Sequence, residues 1–273
     1  MNRLFLVLLI ICQSQQAVGA FERTTRGSRS IAMGGASVAT VPNLWAAFCN
    51  PALLQAIPQR AISFFYSPQP FGLKELARGS FTYVEPTSLG AFALSGSRYG
   101  FELYREIVLG ISYGMTLTDR LAVGLHVNYY SLSIQNYGND GTLGVDVGLL
   151  VEVTEEIRWG FAGLNLNAPT IGEAKEKLPQ IYSTGISYMP IREATLALDI
   201  VKDIRYPAEL HLGIEYSILD LVDIRGGTSS DPSAWNAGIG MHYSFVQLDY
   251  AFSTHVDLGM THSFSLSLLL GEL

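Results

Sequence analysis

Charged side chains are scarce in this chain of 273 residues, at 15% of the sequence, whereas hydrophobic residues make up 48%. Acidic residues outnumber basic ones, 24 Asp and Glu against 17 Lys and Arg, which gives a formal net charge of −7. No run of Lys and Arg of the kind that follows a phosphate backbone occurs. Nucleic acid is therefore not an expected partner, and the balance suits a protein that faces lipid.

Cysteine and long apolar runs are also scarce. Beyond the N-terminus no segment offers 18 consecutive apolar residues, so helical membrane spans are not expected there. Once a signal peptide that contains Cys12 is removed, Cys49 is the only cysteine left, and no intrachain disulfide can form. If the protein is bound to a membrane, it must cross the bilayer with strands.

The first 20 residues predict a cleaved secretory signal. Arg3 precedes an apolar run from Leu4 to Cys12, and Val18-Gly19-Ala20 supplies small residues where signal peptidase needs them. The run is too short to span a bilayer as a helix, which needs about 20 apolar residues. A lipoprotein signal at Cys12 is the alternative, although Ile11 is bulkier than the residue expected before a lipidated cysteine.

From about residue 61 to the end, apolar and polar or small residues alternate with a period of two, as in a strand with two different faces. In one stretch the apolar face comprises Leu121, Val123, Leu125, Val127 and Tyr129. The opposite face of the same stretch comprises Ala122, Gly124, His126, Asn128 and Tyr130. The same contrast recurs in residues 143–151, 210–216 and 246–252.

The alternation predicts about fourteen strands, with an uncertainty of about two, and an even number is what single-chain bacterial barrels require. The predicted strands are residues 61–67, 75–84, 88–96, 103–116, 120–133, 142–153, 156–166, 180–189, 192–201, 208–217, 220–226, 234–244, 245–252 and 261–270. Tight turns are expected at 118–120, 154–156 and 190–192, and looser ones at 136–141 and 167–178. The tight turns should face the periplasm and the looser ones the exterior.

A soluble β-sandwich alternates in the same way, so the pattern alone does not decide between the two classes. Three further features favour the membrane: strands of about 9 to 12 residues, a polar face rich in Gly and Ala, and Tyr or Trp at strand ends. The predicted fold is all-β: a transmembrane antiparallel β-barrel over residues 60–273. The expected location is the bacterial outer membrane, reached by export with the cleaved signal peptide.

Residues 21–59 do not alternate and predict a compact element of short helices and turns. Gly34-Gly35 permits a backbone turn or a close approach to another chain segment. Asn43 can cap a short helix, and Asn50-Pro51 can end it, because proline disfavours helix in the residue before it. We interpret this segment as a hatch folded into the mouth of the barrel.

Several motifs of this hatch resemble those of a known family. Arg29-Ser30, Met33-Gly34-Gly35-Ala36 and Asn50-Pro51-Ala52 are similar to the N-terminal hatch of the PorV/PorQ family, which is related to the FadL-type hydrophobic-compound transporters. The resemblance extends to the C-terminus. The matching segments there are Leu248–Phe252, Leu258-Gly259 and Thr261–Ser263.

The resemblance implies a fourteen-stranded barrel plugged by the hatch. In FadL-like members the hatch gates a path for hydrophobic molecules, and PorV-like members carry cargo of the type IX secretion system. This chain departs from both in having no long outer loops for a lid or a cargo-binding crown. The hatch and gating candidates are Arg29, Met33, Gly34, Gly35, Ala36, Asn50, Pro51 and Ala52.

The expected function is to transport or hold a hydrophobic or extended polypeptide ligand under control of the hatch. A secretion-accessory protein that binds exported clients and a purely structural barrel are the rivals. The predicted lumen face lacks the continuous apolar lining that a fatty-acid path would want, which favours the rivals slightly. Expected partners are outer-membrane lipid, the barrel-assembly machinery, and hydrophobic small molecules or secreted client proteins.

If the apolar faces point to lipid, a set of polar residues points into the lumen. These are His126, Asn128, Asp146, Arg158, Asp199, His211, Glu215, Asp223, Arg225, Asn236, His242 and Asp249. Both signs of charge occur, so many can pair across neighbouring strands or with Arg23, Arg26 and Arg29 of the hatch. The alternative is a polar pore lining or a ligand site.

Catalytic and metal patterns are weak. His242 and Ser244 have the spacing of a His and Ser that share a strand face, as in outer-membrane lipid hydrolases, which leaves that activity as a minor alternative. The apolar face of that strand holds Trp235, Ile239 and Met241, so His242 and Ser244 should point away from lipid. No short metal-ligand spacing and no phosphate-binding Gly loop occur, so we expect no enzyme, metal or cofactor.

The last predicted strand presents Phe264, Leu266, Leu268 and Leu270 on one face, yet the chain ends in Gly271-Glu272-Leu273. Many outer-membrane barrels end in an aromatic residue that serves in assembly. Recognition by the assembly machinery is therefore expected to rest on Phe264 and the leucines.

Overall fold

The computed structural model describes residues 19–22, 25–219, 221–231 and 233–271. Most of the predicted signal peptide, residues 1–18, and the predicted hatch residue Arg23 lie outside this part of the chain. No helix within the described ranges is long and apolar enough to cross a bilayer.

Fourteen long antiparallel strands close into a barrel, in which each strand pairs with its neighbour in sequence and the first pairs with the last. The barrel strands are β1 (Arg60–Ser67), β2 (Arg78–Thr87), β3 (Gly90–Gly100), β4 (Tyr104–Thr118), β5 (Leu121–Ile134), β6 (Gly138–Glu152), β7 (Ile157–Leu164), β10 (Ile181–Ile191), β11 (Ala194–Asp203), β12 (Glu209–Ile218), β13 (Val222–Ser230), β14 (Ser233–Tyr243), β15 (Val246–His255) and β16 (Gly259–Leu270). A small hairpin between β7 and β10 comprises β8 (Thr170–Ile171) and β9 (Glu176–Lys177).

The fold predicted from the sequence is confirmed, and each of the fourteen predicted stretches overlaps one barrel strand. Several predicted strand ends were wrong, and two of them show why. The looser turn expected at 136–141 is the short connection 135–137, because β6 begins at Gly138 and pairs with β5 from its first residue. Strand β13 continues to Ser230, beyond the predicted end at 226, because Gly227 and Thr228 pair on both sides although they do not alternate in hydropathy.

Alternation along each strand separates an outer apolar face from an inner polar one. In β5, Leu125 and Tyr129 are exposed on the outside, whereas His126 and Asn128 are 1% and 4% exposed inside. Large apolar side chains are exposed on the other strands too, including Ile111, Leu212, Ile239 and Phe264. A closed wall leaves no unpaired strand edge, and its apolar outer face is typical of strands that contact lipid.

The two ends of the barrel differ. We call one the tight-turn end, where the connections are residues 88–89, 119–120, 153–156, 192–193, 219–221 and 244–245. At the other, the long-loop end, the connections include 68–77 and 165–180, which carry two 3₁₀ turns (Pro70–Gly72 and Lys74–Leu76) and the small hairpin respectively. Strand β1 starts at the tight-turn end, so the chain that precedes it enters the wall there.

Residues 25–59, called here the N-terminal segment, lie inside the barrel. They form helix α1 (Ser28–Ala32) and two 3₁₀ turns, Ala46–Phe48 and Pro51–Ala56. Helix α1 packs against β13 to β16, and the second turn packs against β4 to β6. Their contact with the wall forms the main apolar core, in which Leu53, Leu54 and Ile57 are at most 2% exposed. Burying each of these side chains contributes about 1.5–3 kcal/mol.

Candidate functional site

Glycines on the inner face of the wall let the backbone of the N-terminal segment approach closely. A Cβ atom at Gly124 or Gly148 would lie under 3.0 Å from backbone or polar atoms of residues 50–52. A Cβ at Gly227 would come equally close to the backbone of Gly34. Such distances are too short for a real Cβ contact. Glycine at these positions therefore makes the room that the segment needs against the wall.

Asn50 fixes one end of the segment to the wall. Its Nδ2 donates to the Val38 carbonyl at 2.7 Å and to the Leu149 carbonyl of β6 at 2.9 Å. Its Oδ1 accepts from the backbone N–H of Ala52 at 3.1 Å and thereby caps the 3₁₀ turn that begins at Pro51. The sequence indicated only that Asn50-Pro51 ends a helix. The structure has one turn ending at Phe48 and a second one starting at Pro51.

Gly34 and Gly35 end helix α1 with φ angles of +67° and +88°, in the left-handed region that favours glycine. The Gly34 carbonyl lies 2.5 Å from Nδ1 of His211 on β12. Asp199 of β11 accepts from the backbone N–H groups of Ser37 and Val38 at 2.7 and 2.9 Å. The Met-Gly-Gly-Ala motif and the residues just after it are therefore tied to two neighbouring strands.

Asp199→Ala is expected to loosen the N-terminal segment locally, because it leaves two buried N–H groups without their carboxylate acceptor. Each unsatisfied donor costs about 1–3 kcal/mol. Hydrogen exchange followed by mass spectrometry should show faster exchange at Ser37 and Val38 and unchanged exchange in β5. Unchanged protection of both amides would show that this carboxylate does not hold the segment.

A buried ionic network joins helix α1 to three strands near the tight-turn end. Arg225 of β13, with its side chain 1% exposed, donates through Nε to Glu215 at 2.5 Å and through Nη1 to Asp249 at 2.6 Å. It also pairs with Asp223. Arg29 of α1 forms a bidentate pair with Glu215, with Nε at 2.7 Å and Nη2 at 2.6 Å.

The network extends to His242 of β14, whose Nε2 lies 2.6 Å from Oδ2 of Asp223. Burial disfavours the charged guanidinium of Arg29, but the carboxylate of Glu215 outweighs this and raises the pKa of Arg29 above its usual range. Two arginines and three carboxylates leave one negative charge, which a protonated His242 would neutralise. The N-terminal segment is thus held by a charge network as well as by apolar packing.

A second polar chain crosses the opposite wall. His126 lies against Ser112 through Nδ1 and against Asn128 Oδ1 at 2.6 Å through Nε2. Asn128 donates to Asp146 at 2.8 Å, and Asp146 also accepts from the backbone N–H of Asn165 at 2.7 Å. These contacts satisfy the buried polar groups of β4 to β6.

Toward the long-loop end, the N-terminal segment leaves open space. One cavity of about 370 Å³ lies between the segment and strands β2 to β6, with Trp45, Phe48, Phe65, Tyr99 and Tyr130 among its lining residues. A second cavity of about 540 Å³ lies against β11 to β16 and includes His211, Asn236 and His255 in its lining. Both volumes fall in the range of small-molecule sites.

The structure places the predicted lumen residues on the inner face but divides them. Asp223, Arg225, Glu215, His242 and Asp249 form one cluster. Arg158 lies apart, paired with Glu152 at 3.3 Å, while Asp199 and His211 bind the N-terminal segment. Met33, Ala36, Pro51 and Ala52 are buried packing residues of that segment.

The structure does not place His242 and Ser244 on one strand face, as the spacing of a lipid hydrolase would require. Strand β14 ends at Tyr243, and Ser244 lies exposed in the following turn with φ of +54°. His242 is engaged with Asp223. The two side chains therefore do not share a strand face as the spacing suggested.

Of the residues around the first cavity, the sequence indicated Arg26, Asn128 and Asp146 but missed most of the others. Arg78, Ser80 and Thr82 alternate with Phe81 and Tyr83, and this pattern carried the signal that Arg78 faces inward. Hydropathy alternation could not predict that Trp45 and Phe48 line the cavity, because they belong to the irregular N-terminal segment.

No family model and no curated protein matches this chain. Among solved structures it is similar to the toluene transporter TbuX of Ralstonia pickettii, with a TM-score of 0.68 and 16% identity over 90% of this chain and 98% of that one. It is also similar to the monoaromatic hydrocarbon channel CymD (TM-score 0.70, 14% identity, 93% and 100% coverage). A FadL homologue from Pseudomonas aeruginosa matches at TM-score 0.64 and 13% identity, with 89% and 98% coverage. At these identities the likeness establishes a shared fold.

Proposed function

We propose that this protein is an outer-membrane barrel that takes up or holds a hydrophobic small molecule, with residues 21–59 acting as the hatch of the lumen. The observation that carries the proposal is the cavity between the N-terminal segment and β2 to β6, open toward the long-loop end and lined by aromatic side chains. Small-molecule sites are concave, with apolar walls and polar groups that orient the ligand, and this cavity has polar and charged lining residues beside the aromatic ones.

The outer surface supports a position in a membrane, because its large exposed side chains are apolar around the wall. The predicted signal peptide supports export. The tight-turn end would then face the periplasm and the long-loop end the exterior, as short and longer connections do in outer-membrane barrels. In this orientation a ligand reaches the cavity from outside and meets the N-terminal segment before the periplasm.

The hatch role is supported by where the N-terminal segment lies and how it is held. It fills the lumen toward the tight-turn end, and its attachment combines apolar packing with the Arg29 ion pair and the Asp199 hydrogen bonds. The wall closes through pairing between its own strands, and the segment is not one of them. A segment held in this way can shift without unfolding the closed wall.

The fold that the chain shares with proteins described as toluene and monoaromatic hydrocarbon transporters supports a hydrophobic ligand over a polypeptide. Residues of the motifs similar to the PorV/PorQ family make contacts within the N-terminal segment and with the wall. They support the common fold and do not by themselves select a role in protein secretion. Apart from 68–77 and 165–180, the connections at the long-loop end are short and offer little surface to an exported client.

A reversible lock on the hatch tests the proposal. Ser28 of helix α1 and Ser265 of β16 have their Oγ atoms 3.1 Å apart, so Ser28→Cys with Ser265→Cys in a Cys49→Ala background can link the segment to the wall without adding a side chain at a glycine. In liposomes, the oxidised variant should lose toluene uptake and regain it on reduction, while each single-cysteine variant should stay active under both conditions.

The possible results separate the parts of the proposal. Uptake that is equal in the oxidised and reduced forms would count against a hatch that moves, while leaving transport intact. No uptake by the unmodified protein, together with exported proteins that co-purify from solubilised outer membrane, would instead favour the secretion-accessory function.

A further inference from the structure

Three arginines line the first cavity, of which Arg26 and Arg78 are half-buried and Arg98 is exposed. Arg78 is the first residue of β2, and Arg26 precedes helix α1. A site for neutral hydrocarbons alone has no need of guanidinium groups, and burying them costs free energy. Their geometry therefore bears on the kind of ligand that the cavity takes.

Arg78 stacks on an aromatic neighbour. Its Cζ lies 4.7 Å from the ring centroid of Tyr99, which is its direct cross-strand partner on β3. Its Nε is buried without a hydrogen-bond partner in the part of the chain that the structure describes. A guanidinium that stacks through its face keeps its N–H groups in the plane, where they match the two oxygens of a carboxylate.

Arg26 also stacks on an aromatic ring, from the N-terminal segment. Its Cζ lies 4.8 Å from the ring centroid of Phe48, and its Nη2 donates to Ser97 at 3.3 Å. Burial, and then the positive charge of Arg78, lower the pKa of Arg26 to about 10. Both groups remain cationic at neutral pH, and an anion placed between them would offset their repulsion.

The carboxylates around the cavity already have donors. Glu106 accepts from the backbone N–H of Phe21 at 2.9 Å and from the Tyr104 hydroxyl at 2.6 Å. Glu22 pairs with Arg205 at 3.0 Å, and Asp146 accepts from Asn128 and Asn165. Glu106 attracts both guanidinium groups, and its single negative charge is shared between the two positive charges of Arg26 and Arg78.

Aromatic rings form the apolar wall beside these arginines. Trp45 stacks near Phe48 with centroids 6.1 Å apart and meets the edge of Phe65 at 5.9 Å. Aromatic side chains arranged in this way can make offset-stacked and edge-to-face contacts with the ring of an aromatic ligand. The cavity thus combines an aromatic compartment with an anion-binding edge.

We propose that the first cavity binds small aromatic carboxylates, with the ring against Trp45 and Phe65 and the carboxylate on Arg78 and Arg26. This inference rests on the proposed uptake function and names its ligand class. It differs from binding of a neutral hydrocarbon in requiring a negative charge. Arg78 is the main specificity-determining residue, because its side chain lines the cavity and its Nε has no hydrogen-bond acceptor among the described residues.

The test uses the full-length protein in detergent with Trp45 as the fluorescent reporter, after Trp159→Phe and Trp235→Phe remove the other tryptophans. The probes are 3-phenylpropionate and its neutral isostere 3-phenylpropanamide. The acid should bind at least about tenfold more tightly, as expected for a charge-assisted hydrogen-bonded pair. Arg78→Gln should remove that preference, whereas Arg105→Gln, an exposed arginine of β4 outside the cavity, should keep it.

Folding of each variant is checked by heat-modifiable migration on electrophoresis, and Arg26→Gln provides a second variant should Arg78→Gln fail to fold. Equal affinity for acid and amide, with no effect of either substitution, would overturn the anion site and leave uptake of neutral compounds standing. Absence of binding for both probes, and for toluene as well, would overturn the inference together with the proposed function.

Discussion

Replacing Arg225 by leucine is expected to lower the free energy of unfolding by about 3–5 kcal/mol, the cost of leaving a buried charge uncompensated. The side chain is 1% exposed and donates to Glu215, Asp223 and Asp249, so its removal leaves three carboxylates facing one another around Arg29 and His242. Urea titration of the protein in bilayers, followed by tryptophan fluorescence, measures the change.

An exposed pair provides the control. Arg60 pairs with Glu85 at 2.6 Å, but the two side chains are 53% and 33% exposed, so water and salt screen the pair. Arg60→Leu should leave the urea midpoint unchanged. Arg225→Lys should lie between the two leucine variants, because an ammonium keeps the charge but cannot serve three carboxylates in a fixed fork. Equal midpoints for Arg225→Leu and the parent protein would show that the cluster does not stabilise the barrel.

The cluster also shows what the sequence could and could not predict. Alternation placed Glu215, Arg225 and Asp249 on one face of their strands, because successive side chains point to opposite sides. Which residues meet depends on the register between strands, and here Glu215 lies directly opposite Arg225 while Asp223 and Asp249 both lie opposite Gly240. A one-residue slip would move all these side chains to the other face, and nothing local in the sequence fixes the register.

The fourteen strands were predictable from apolar alternation, but their exact ends were not. Apolar alternation defines the part of each strand that separates lumen from outer surface, but β6 extends back to Gly138 through Asn139, Asp140 and Gly141, which do not alternate in hydropathy. Backbone pairing with β5 holds that extension. Strand pairing beyond the apolar band leaves no mark in the hydropathy pattern.

The N-terminal segment was predictable as an irregular element from Gly34-Gly35 and Asn50-Pro51, but its position on the wall was not. That position is set by glycines far away in sequence, such as Gly148 under Asn50 and Gly227 under Gly34. A glycine in a strand indicates a close approach or a bulge. The sequence does not say what approaches, so the matching of wall and segment required the structure.

Two adjacent glycines allow the fit between the wall and the N-terminal segment to be tested. Gly226 and Gly227 are consecutive in β13 and point to opposite faces of the wall. A Cβ at Gly226 would meet Ile214 at 3.8 Å, an ordinary contact, whereas a Cβ at Gly227 would lie under 3.0 Å from the backbone of Gly34 and Met33. The same substitution at the two positions therefore differs mainly in whether it pushes against the N-terminal segment, since the other close atom at Gly227 is the Leu212 carbonyl oxygen of β12 at 2.8 Å.

Gly227→Ala is expected to displace the N-terminal segment around Gly34 and to raise the permeability of the barrel to small solutes in liposomes, whereas Gly226→Ala should leave permeability at the parent level. Forcing a methyl group into a packed contact costs about 1–3 kcal/mol. Moving the segment relieves this cost more readily than distorting β13, which is hydrogen-bonded to strands on both sides. Increased trypsin cleavage at Arg29 in Gly227→Ala would report the same displacement independently. Equal permeability of the two variants would show that the wall yields and that the close contact at Gly34 does not keep the lumen closed.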